Sequence, residues 1–143
     1  MSNPLINEKW DLLFVYASCN DKDRINQFRS LVDYKNNLRS KFCVVGDFKY
    51  YTNGREKRGG NGVSRYKTVP TFINYMGLVY LDFRGPPMTW SNRRDGQDHI
   101  TERIDRSMAS TPWGTTHSNA QVFHLDDLGS DHRPLLLVVD STF

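Results

Sequence analysis

The chain has 143 residues, which is the length of one domain with a core of its own. Hydrophobic residues account for 38% of the sequence and charged residues for 24%, a composition that excludes a disordered polar tail. The net charge of +3 at neutral pH is compatible with an anionic partner but does not require one.

Strands and a helix alternate in the first part of the chain. Residues 10–17, WDLLFVYA, predict a buried strand, and Asn20 or Asp21 is the expected N-cap of the helix that follows. Residues 42–47, FCVVGD, predict a second strand of the fully buried type. The next segment, residues 52–67, is rich in glycine and basic residues, which is typical of a loop.

The later part of the chain is richer in predicted strands. A short helix is expected around residues 72–76, with Pro70 at or before its first turn. Residues 100–108, ITERIDRSM, also predict a short helix, because apolar residues recur there at helical spacing. The predicted strands of this part are residues 78–83, 86–92, 120–128 and a last strand within 130–140. Without an internal repeat or linker, residues 1–143 are expected to form a single unit of the α/β or α+β class.

Acidic and histidine residues stand at several predicted strand ends and loops. Taken singly, Asp47 after a glycine is typical of a turn, and Asp105 between two arginines is typical of a surface ion pair. Asp131 and His132 are adjacent just before a strongly apolar strand, so both side chains are expected in the loop at the end of a sheet. A carboxylate and an imidazole at such a place can hold a divalent cation and a phosphate oxygen together.

Basic residues accompany these candidates. Lys49 follows Asp47 by two positions, and strand alternation predicts that the two side chains share a face. The loop that follows contains Arg55, Lys57 and Arg58, and further along Arg65 and Lys67. Such a loop can contact the phosphate backbone of a nucleic acid, or it can be a solvated loop with no partner. The sequence leaves both interpretations open.

The motifs VYASCNDKDR, VVGDFKYY, EKRGG, MTWSN, RIDR and SDHRPLLL occur in one order between Trp10 and Val139. In that order they resemble the endonuclease/exonuclease/phosphatase superfamily, and most closely the endonuclease domain of plant LINE-type (non-LTR) retrotransposons. The resemblance implies a four-layer α/β (α+β) sandwich of two mainly antiparallel sheets with outer helices. It also implies Mg²⁺-dependent hydrolysis of the phosphodiester bonds of DNA.

The same resemblance implies roles for individual residues. Tyr16 would contact the scissile phosphate and Asp47 would activate the attacking water. Asp105 would orient His132 towards the phosphate, and Asp131 would lie near the metal ion. The residues implied or expected to contact nucleic acid are Thr89, Trp90, Asn92, Arg55, Lys57 and Arg58.

Two features depart from the family pattern. The family carries an Asn and a metal-binding Glu on strands that precede the segment matched by Trp10, so the chain resembles only the C-terminal part of such a domain. Glu8 is a poor replacement for that metal-binding Glu, because it stands near the N-terminus with no predicted strand before it. Lys49 also stands where the family has an Asn after Gly-Asp-Phe. We therefore expect weak magnesium binding, no cleavage by this chain alone, and self-association through an uncovered sheet face. The alternatives are a non-catalytic module that binds nucleic acid through the basic loop and Trp90, and a phosphatase of the same superfamily.

The sequence carries no evident targeting signal. The N-terminus lacks the basic and apolar regions of a signal peptide, and no apolar run approaches the ~18 residues that cross a bilayer. Cys19 and Cys43 are the only cysteines, and their number and spacing indicate neither a disulfide framework nor a zinc site. We expect an intracellular protein, in the nucleus or the cytoplasm, without a membrane partner.

Overall fold

The computed structural model describes residues 8–50, 54–60 and 68–140, and within them the chain has the mixed α/β architecture of the α+β class that the sequence predicts. The helices are α1 (Asp21–Tyr34), α2 (Thr68–Met76) and α3 (Thr111–Thr116). The strands are β1 (Asp11–Tyr16), β2 (Phe42–Asp47), β3 (Lys57–Arg58), β4 (Leu78–Tyr80), β5 (Phe83–Arg84), β6 (Trp90–Ser91), β7 (Thr101–Glu102), β8 (Asp105–Ser110), β9 (Gln121–His124) and β10 (Leu135–Val138).

These described strands form three sheets, rather than the two that the resemblance implies. The largest has the order β1-β2-β8-β4, and the smaller ones have the orders β10-β9-β5 and β3-β7-β6. Most neighbouring strands run antiparallel, but β1 and β2 are parallel, as are β5 and β9. The parallel pair β1–β2 is joined by α1, which crosses over one face of the sheet.

Helices α1 and α2 cover one face of the largest sheet. The strand register sets Leu13 beside Val44 and Val44 beside Met108, so these three side chains point to the helices. Phe28 of α1 and Phe72 of α2 meet them with ring centroids 4.8 Å apart. Each of the fully buried side chains, such as Val44 and Phe28, stabilises the fold by about 1.5–3 kcal/mol relative to exposure. This helix-covered face is the main core of the domain.

The other face of the largest sheet is covered only in part. Cys43 and Ala109 pack there against Trp113 of α3, and β10 lies over β8. Three side chains of β1 on this same face stay exposed, because no described element covers them. Their exposed fractions are 41% for Leu12, 78% for Phe14 and 76% for Tyr16. We call these three residues the β1 stripe.

Several predicted elements need correction. The helix predicted at residues 100–108 is wrong: the segment forms β7 and β8. All six residues of β8 are buried, and the strand lies inside the largest sheet, between β2 and β4. The strand predicted at residues 78–83 divides into β4 and β5, which belong to different sheets. Helix α3 was not predicted, although Pro112 in its first turn is a known start signal.

Two predicted helix starts are confirmed. Asn20 is the N-cap of α1, since its side chain accepts a hydrogen bond of 3.1 Å from the N–H of Asp23. Pro70 lies in the first turn of α2.

Cys19 is exposed and Cys43 is buried, and both are free thiols. Among the described helices, none is long and apolar enough to cross a membrane.

Candidate functional site

Three of the predicted site residues form one row across the largest sheet. The register pairs Tyr16 with Asp47 and Asp47 with Asp105, on three adjacent strands. Residues paired in this way have neighbouring side chains on one face of a sheet. Asp47 and Asp105 are 5% and 9% exposed, whereas Tyr16 belongs to the exposed β1 stripe. The row therefore places two buried carboxylates beside an accessible phenol.

His132 joins this row from the loop between β9 and β10. Its Nδ1 lies 2.9 Å from Asp105 Oδ2, a hydrogen bond that the imidazole N–H donates to the carboxylate. Its other ring nitrogen, Nε2, lies 3.8 Å from Asp47 Oδ2. Asp105 thus fixes the orientation of the ring, as the motif resemblance implies. Asp47, Asp105 and His132 are named the carboxylate–histidine cluster below.

The protonation of His132 follows from these contacts. The hydrogen bond to Asp105 raises the pKa of His132 above its usual 6.5, although burial acts in the opposite direction. The negative charges of Asp105, Asp47 and Asp131 add to the increase. An imidazole with a raised pKa favours its cationic form, which attracts a phosphate oxygen.

The loop that carries His132 is fixed by β6. Trp90 forms an antiparallel bridge with His132, and the N–H of Ser91 donates to the carbonyl oxygen of Asp131 at 3.0 Å. The N–H of Arg133 donates to the carbonyl oxygen of Thr89 at 2.8 Å. The MTWSN and SDH motifs are therefore neighbours in space, and the first positions the second.

Thr89 has a role that differs from the one implied by the resemblance. Its side chain is 1% exposed, so it has no surface to offer a nucleic acid. Its hydroxyl oxygen accepts hydrogen bonds from the N–H groups of Ile104 at 3.1 Å and Asp105 at 3.0 Å. Thr89 thus holds the backbone at the start of β8, next to the Asp105 carboxylate.

Asn92 is also engaged within the chain. Its Nδ2 donates to the carbonyl oxygen of Asp98 at 2.7 Å, and its Oδ1 accepts from the N–H of Ile100 at 2.9 Å. These bonds close the loop between β6 and β7. The amide of Asn92 therefore shapes a turn instead of facing a ligand, while Trp90 keeps part of its surface exposed.

Asp131 is placed beside the cluster and not in it. Its side chain is exposed, and the hydroxyl of Ser130 donates to its Oδ1 at 3.5 Å. Within the described residues, the group able to supply three metal ligands consists of Asp47, Asp105 and His132, whose ligand atoms lie within 4.8 Å of one another. The sequence placed Asp131 near the metal ion, whereas the ligand atoms that the structure brings together belong to these three residues.

The arginines of the RIDR motif do not pair with Asp105. The guanidinium of Arg106 is buried, pairs with Glu56 and donates to the carbonyl oxygen of Tyr50 at 3.3 Å. Arg103 lies over the ring of Phe83, 4.4 Å from its centroid. The simple surface ion pair considered for Asp105 is therefore wrong, since the carboxylate pairs with His132 instead.

Gly46 shapes the strand next to Asp47. A Cβ at this position would lie 1.9 Å from the carbonyl oxygen of Val15, and the residue has a φ of +149°. No side chain fits there, because β1 passes too close. The glycine of the GD motif is therefore a requirement of strand packing beside the carboxylate.

Lys49 contacts Asp47 through a turn. Strand β2 ends at Asp47, and Lys49 has a φ of +54°, in the left-handed region. The N–H of Lys49 donates to Asp47 Oδ1 at 3.0 Å, and its ammonium forms an ion pair with Asp47 Oδ2. The predicted proximity is thus confirmed, but it comes from an Asx-type turn and not from strand alternation.

The ammonium of Lys49 is held on two sides. Besides the ion pair with Asp47, it lies 5.0 Å from the ring centroid of Tyr16, within the range of a cation–π contact. Burial alone would lower the pKa of Lys49, but the hydrogen bond with Asp47 and the charge of Asp47 outweigh burial and raise it. Lys49 is therefore a stable cation at this site.

The predicted nucleic-acid residues fall on the smallest sheet. Lys57 of β3, Glu102 of β7 and Trp90 of β6 are paired across its three strands, and Lys57 Nζ lies 2.9 Å from Glu102 Oε1. Arg55 and Arg58 are exposed. The EKRGG and MTWSN motifs are thus two edges of one sheet. Arg65 and Lys67 lie outside the described residues.

Glu8, considered from the sequence as a substitute metal ligand, lies far from the cluster. It pairs with Lys41, which precedes β2, whereas Asp47 ends that strand. The six residues of β2 separate the two ends by roughly 17–20 Å. His117 Nε2 is 3.6 Å from the other carboxylate oxygen of Glu8. Glu8 is therefore part of a separate polar contact.

Comparison with known proteins gives a likeness of fold. No family model matches the chain, and no curated protein matches it. Among solved structures, the crystal structure of beta toxin 275-280 from Staphylococcus aureus superposes with a TM-score of 0.58 at 14% sequence identity. The match covers 92% of this chain and 53% of that chain, so the present chain spans about half the length of the toxin chain. At this identity the likeness supports the α+β fold and leaves function to the site itself.

Proposed function

We propose that this chain is an endonuclease-like domain of the endonuclease/exonuclease/phosphatase superfamily, of the kind found in plant LINE-type retrotransposons. Its carboxylate–histidine cluster would engage the phosphodiester backbone of DNA. The observation that carries the proposal is the hydrogen bond between Asp105 and His132 at the end of the row that also holds Tyr16 and Asp47. The residues that four separate motifs supply meet at one end of one sheet.

The chemistry of the cluster suits a phosphate. Asp105 orients the imidazole of His132 and favours its protonated form, and a charged N–H donor binds a phosphate oxygen strongly. The phenol of Tyr16 is exposed in the same row and can donate a further hydrogen bond. An oriented cationic donor beside a carboxylate is the arrangement expected where negative charge accumulates on a phosphoryl group.

Magnesium is the ion that the resemblance implies, and the cluster as it stands does not fit it. Mg²⁺ requires near-octahedral oxygen ligation. Both carboxylate oxygens of Asp47 accept hydrogen bonds from Lys49, and one oxygen of Asp105 is bonded to His132. We therefore expect this chain to bind DNA at the cluster without Mg²⁺-dependent cleavage.

A second candidate is a module that binds nucleic acid away from the cluster. The specific observation in its favour is the small sheet, which carries Trp90 on one edge strand and Lys57 and Arg58 on the other. An aromatic side chain beside cations can stack on a base while the cations meet the backbone. The ion pair between Lys57 and Glu102 already offsets part of this positive charge.

The two candidates are separated by DNA binding at low salt, followed by fluorescence anisotropy of a labelled duplex. His132→Gln should weaken binding by about tenfold if the cluster holds a phosphate, since a hydrogen bond to a charged group is worth ~1.5–3 kcal/mol. The matched control is Arg29→Gln, which removes an exposed cation from α1 on the opposite face of the sheet. It should weaken binding by less than about twofold.

Three other outcomes of these assays are informative. Equal losses in both variants would mean that DNA is held by overall charge, which contradicts the proposal. A loss in Trp90→Ala alone would favour the small sheet. Nicking of supercoiled plasmid in Mg²⁺ that disappears in Asp105→Asn would contradict the expected lack of cleavage.

A further inference from the structure

The ammonium of Lys49 is paired with the Asp47 carboxylate, which belongs to the carboxylate–histidine cluster. It pairs with Asp47 Oδ2, the oxygen that also lies 3.8 Å from His132 Nε2. Asp47 Oδ2 is thus in contact with the ammonium and near the imidazole of His132, so the ammonium binds a carboxylate of the cluster. The side chains of Lys49 and Asp47 are 17% and 6% exposed, which means that the pair is largely shielded from water.

The contacts of the ammonium are built into the backbone. The Asx-type turn brings Lys49 back towards Asp47, and the ring of Tyr16 closes the opposite side at 5.0 Å. A lysine at a φ of +54° is uncommon, because the left-handed region favours glycine and asparagine. The two hydrogen bonds from Lys49 to the carboxylate of Asp47 stabilise this strained conformation.

We propose that Lys49 is the resident cation of the cluster and that it excludes divalent metal ions from Asp47. This inference deepens the proposed function, on which it rests for the role of the cluster as a phosphate site. A bound phosphate would be met by an ammonium and an imidazole N–H, in place of a metal ion. A divalent ion entering the cluster has to displace the ammonium or lie against a like charge.

The test measures metal alone, without DNA. Wild type and three variants are titrated with Mn²⁺ and with Mg²⁺ by isothermal calorimetry, and Mn²⁺ binding is followed independently by electron paramagnetic resonance. Lys49→Asn removes the charge and suits the backbone, since asparagine adopts positive φ readily. Lys49→Gln removes the charge from a side chain of similar shape, and Lys49→Arg keeps the charge.

We expect Lys49→Asn and Lys49→Gln to bind Mn²⁺ at least about tenfold more tightly than wild type, because the competing cation is gone. Lys49→Arg should remain as weak as wild type while unfolding at a similar temperature. The gain in the neutral variants is the result that loss of structure could not produce. The double variant Lys49→Asn with Asp105→Asn should lose the gain, since it removes a cluster ligand. Thermal unfolding of each variant identifies any that fails to fold.

The outcomes are decisive in both directions. Micromolar binding of Mn²⁺ by wild type, or an unchanged affinity in both neutral variants, would overturn the inference. A gain that survives in the double variant would place the metal elsewhere and would also overturn it. Failure of the proposed function appears separately, as DNA binding that His132→Gln leaves intact.

Discussion

Replacing Thr89 by valine removes one buried hydroxyl and keeps the approximate shape of the side chain. The hydroxyl oxygen accepts two backbone N–H groups, those of Ile104 at 3.1 Å and Asp105 at 3.0 Å. Each buried N–H left without a partner costs about 1–3 kcal/mol, and burial of the added methyl group offsets ~0.8 kcal/mol. We therefore expect the free energy of unfolding to fall by about 1–5 kcal/mol.

Urea and thermal denaturation followed by circular dichroism measure this loss. With an unfolding entropy of ~2.1 cal/mol/K per residue, the midpoint of thermal unfolding should fall by roughly 3–17 °C. Thr89→Ser is the control, since it keeps the hydroxyl and should lose less than ~1 kcal/mol. A valine variant as stable as wild type, or a serine variant as unstable as the valine variant, would refute the reasoning. If Thr89 instead contacts DNA, the substitution would change affinity and leave stability alone.

Three further predictions concern packing, pH and assembly. Gly46→Ala should lower the free energy of unfolding in urea by about 3–5 kcal/mol, because the new Cβ would lie 1.9 Å from a carbonyl oxygen. The control is Gly114→Ala, where the nearest atom is 3.9 Å from the new Cβ, and its free energy of unfolding should be close to that of wild type. The raised pKa of His132 adds stability that is present below its unfolded pKa of 6.5 and is lost as the pH rises through the folded pKa. Asp105→Asn should therefore lower the free energy of unfolding more at about pH 5.5 than at about pH 9, and a pH-independent difference would contradict this. We expect the wild-type chain to form oligomers in sedimentation velocity and the Phe14→Asp variant to be monomeric, since Phe14 is apolar and 78% exposed. A monomeric wild type would contradict this prediction.

The sequence predicted the members of the site better than their arrangement. Asp47, Asp105 and His132 were identified from motifs, and the structure brings them within reach of one another. Their meeting depends on the pairing of β2 with β8, which joins segments far apart in the chain. Local periodicity carries no information about such pairing. It also misled the assignment of residues 100–108, where the apolar spacing of a helix occurs in a strand buried on both faces.

Roles assigned by motif were less reliable for residues whose neighbours were unknown. Thr89 and Asn92 lie in the expected motif, but their polar atoms are used by the backbone of this chain. For Lys49, the contact with Asp47 was expected, but its origin was not: strand alternation was predicted, and a left-handed turn makes the contact. Sequence indicates which side chain can donate or accept; only the fold decides which partner it finds.

The β1 stripe reaches the carboxylate–histidine cluster through Tyr16, which is paired with Asp47. A second protein molecule that covers Leu12 and Phe14 would therefore also lie next to Asp47 and would line one side of the cluster. Occupation of the stripe and occupation of the cluster would then be linked equilibria, in which each changes the binding free energy of the other by the same amount. Assembly at this edge of the sheet would thus act as an allosteric input, and the affinity for a phosphate would depend on protein concentration.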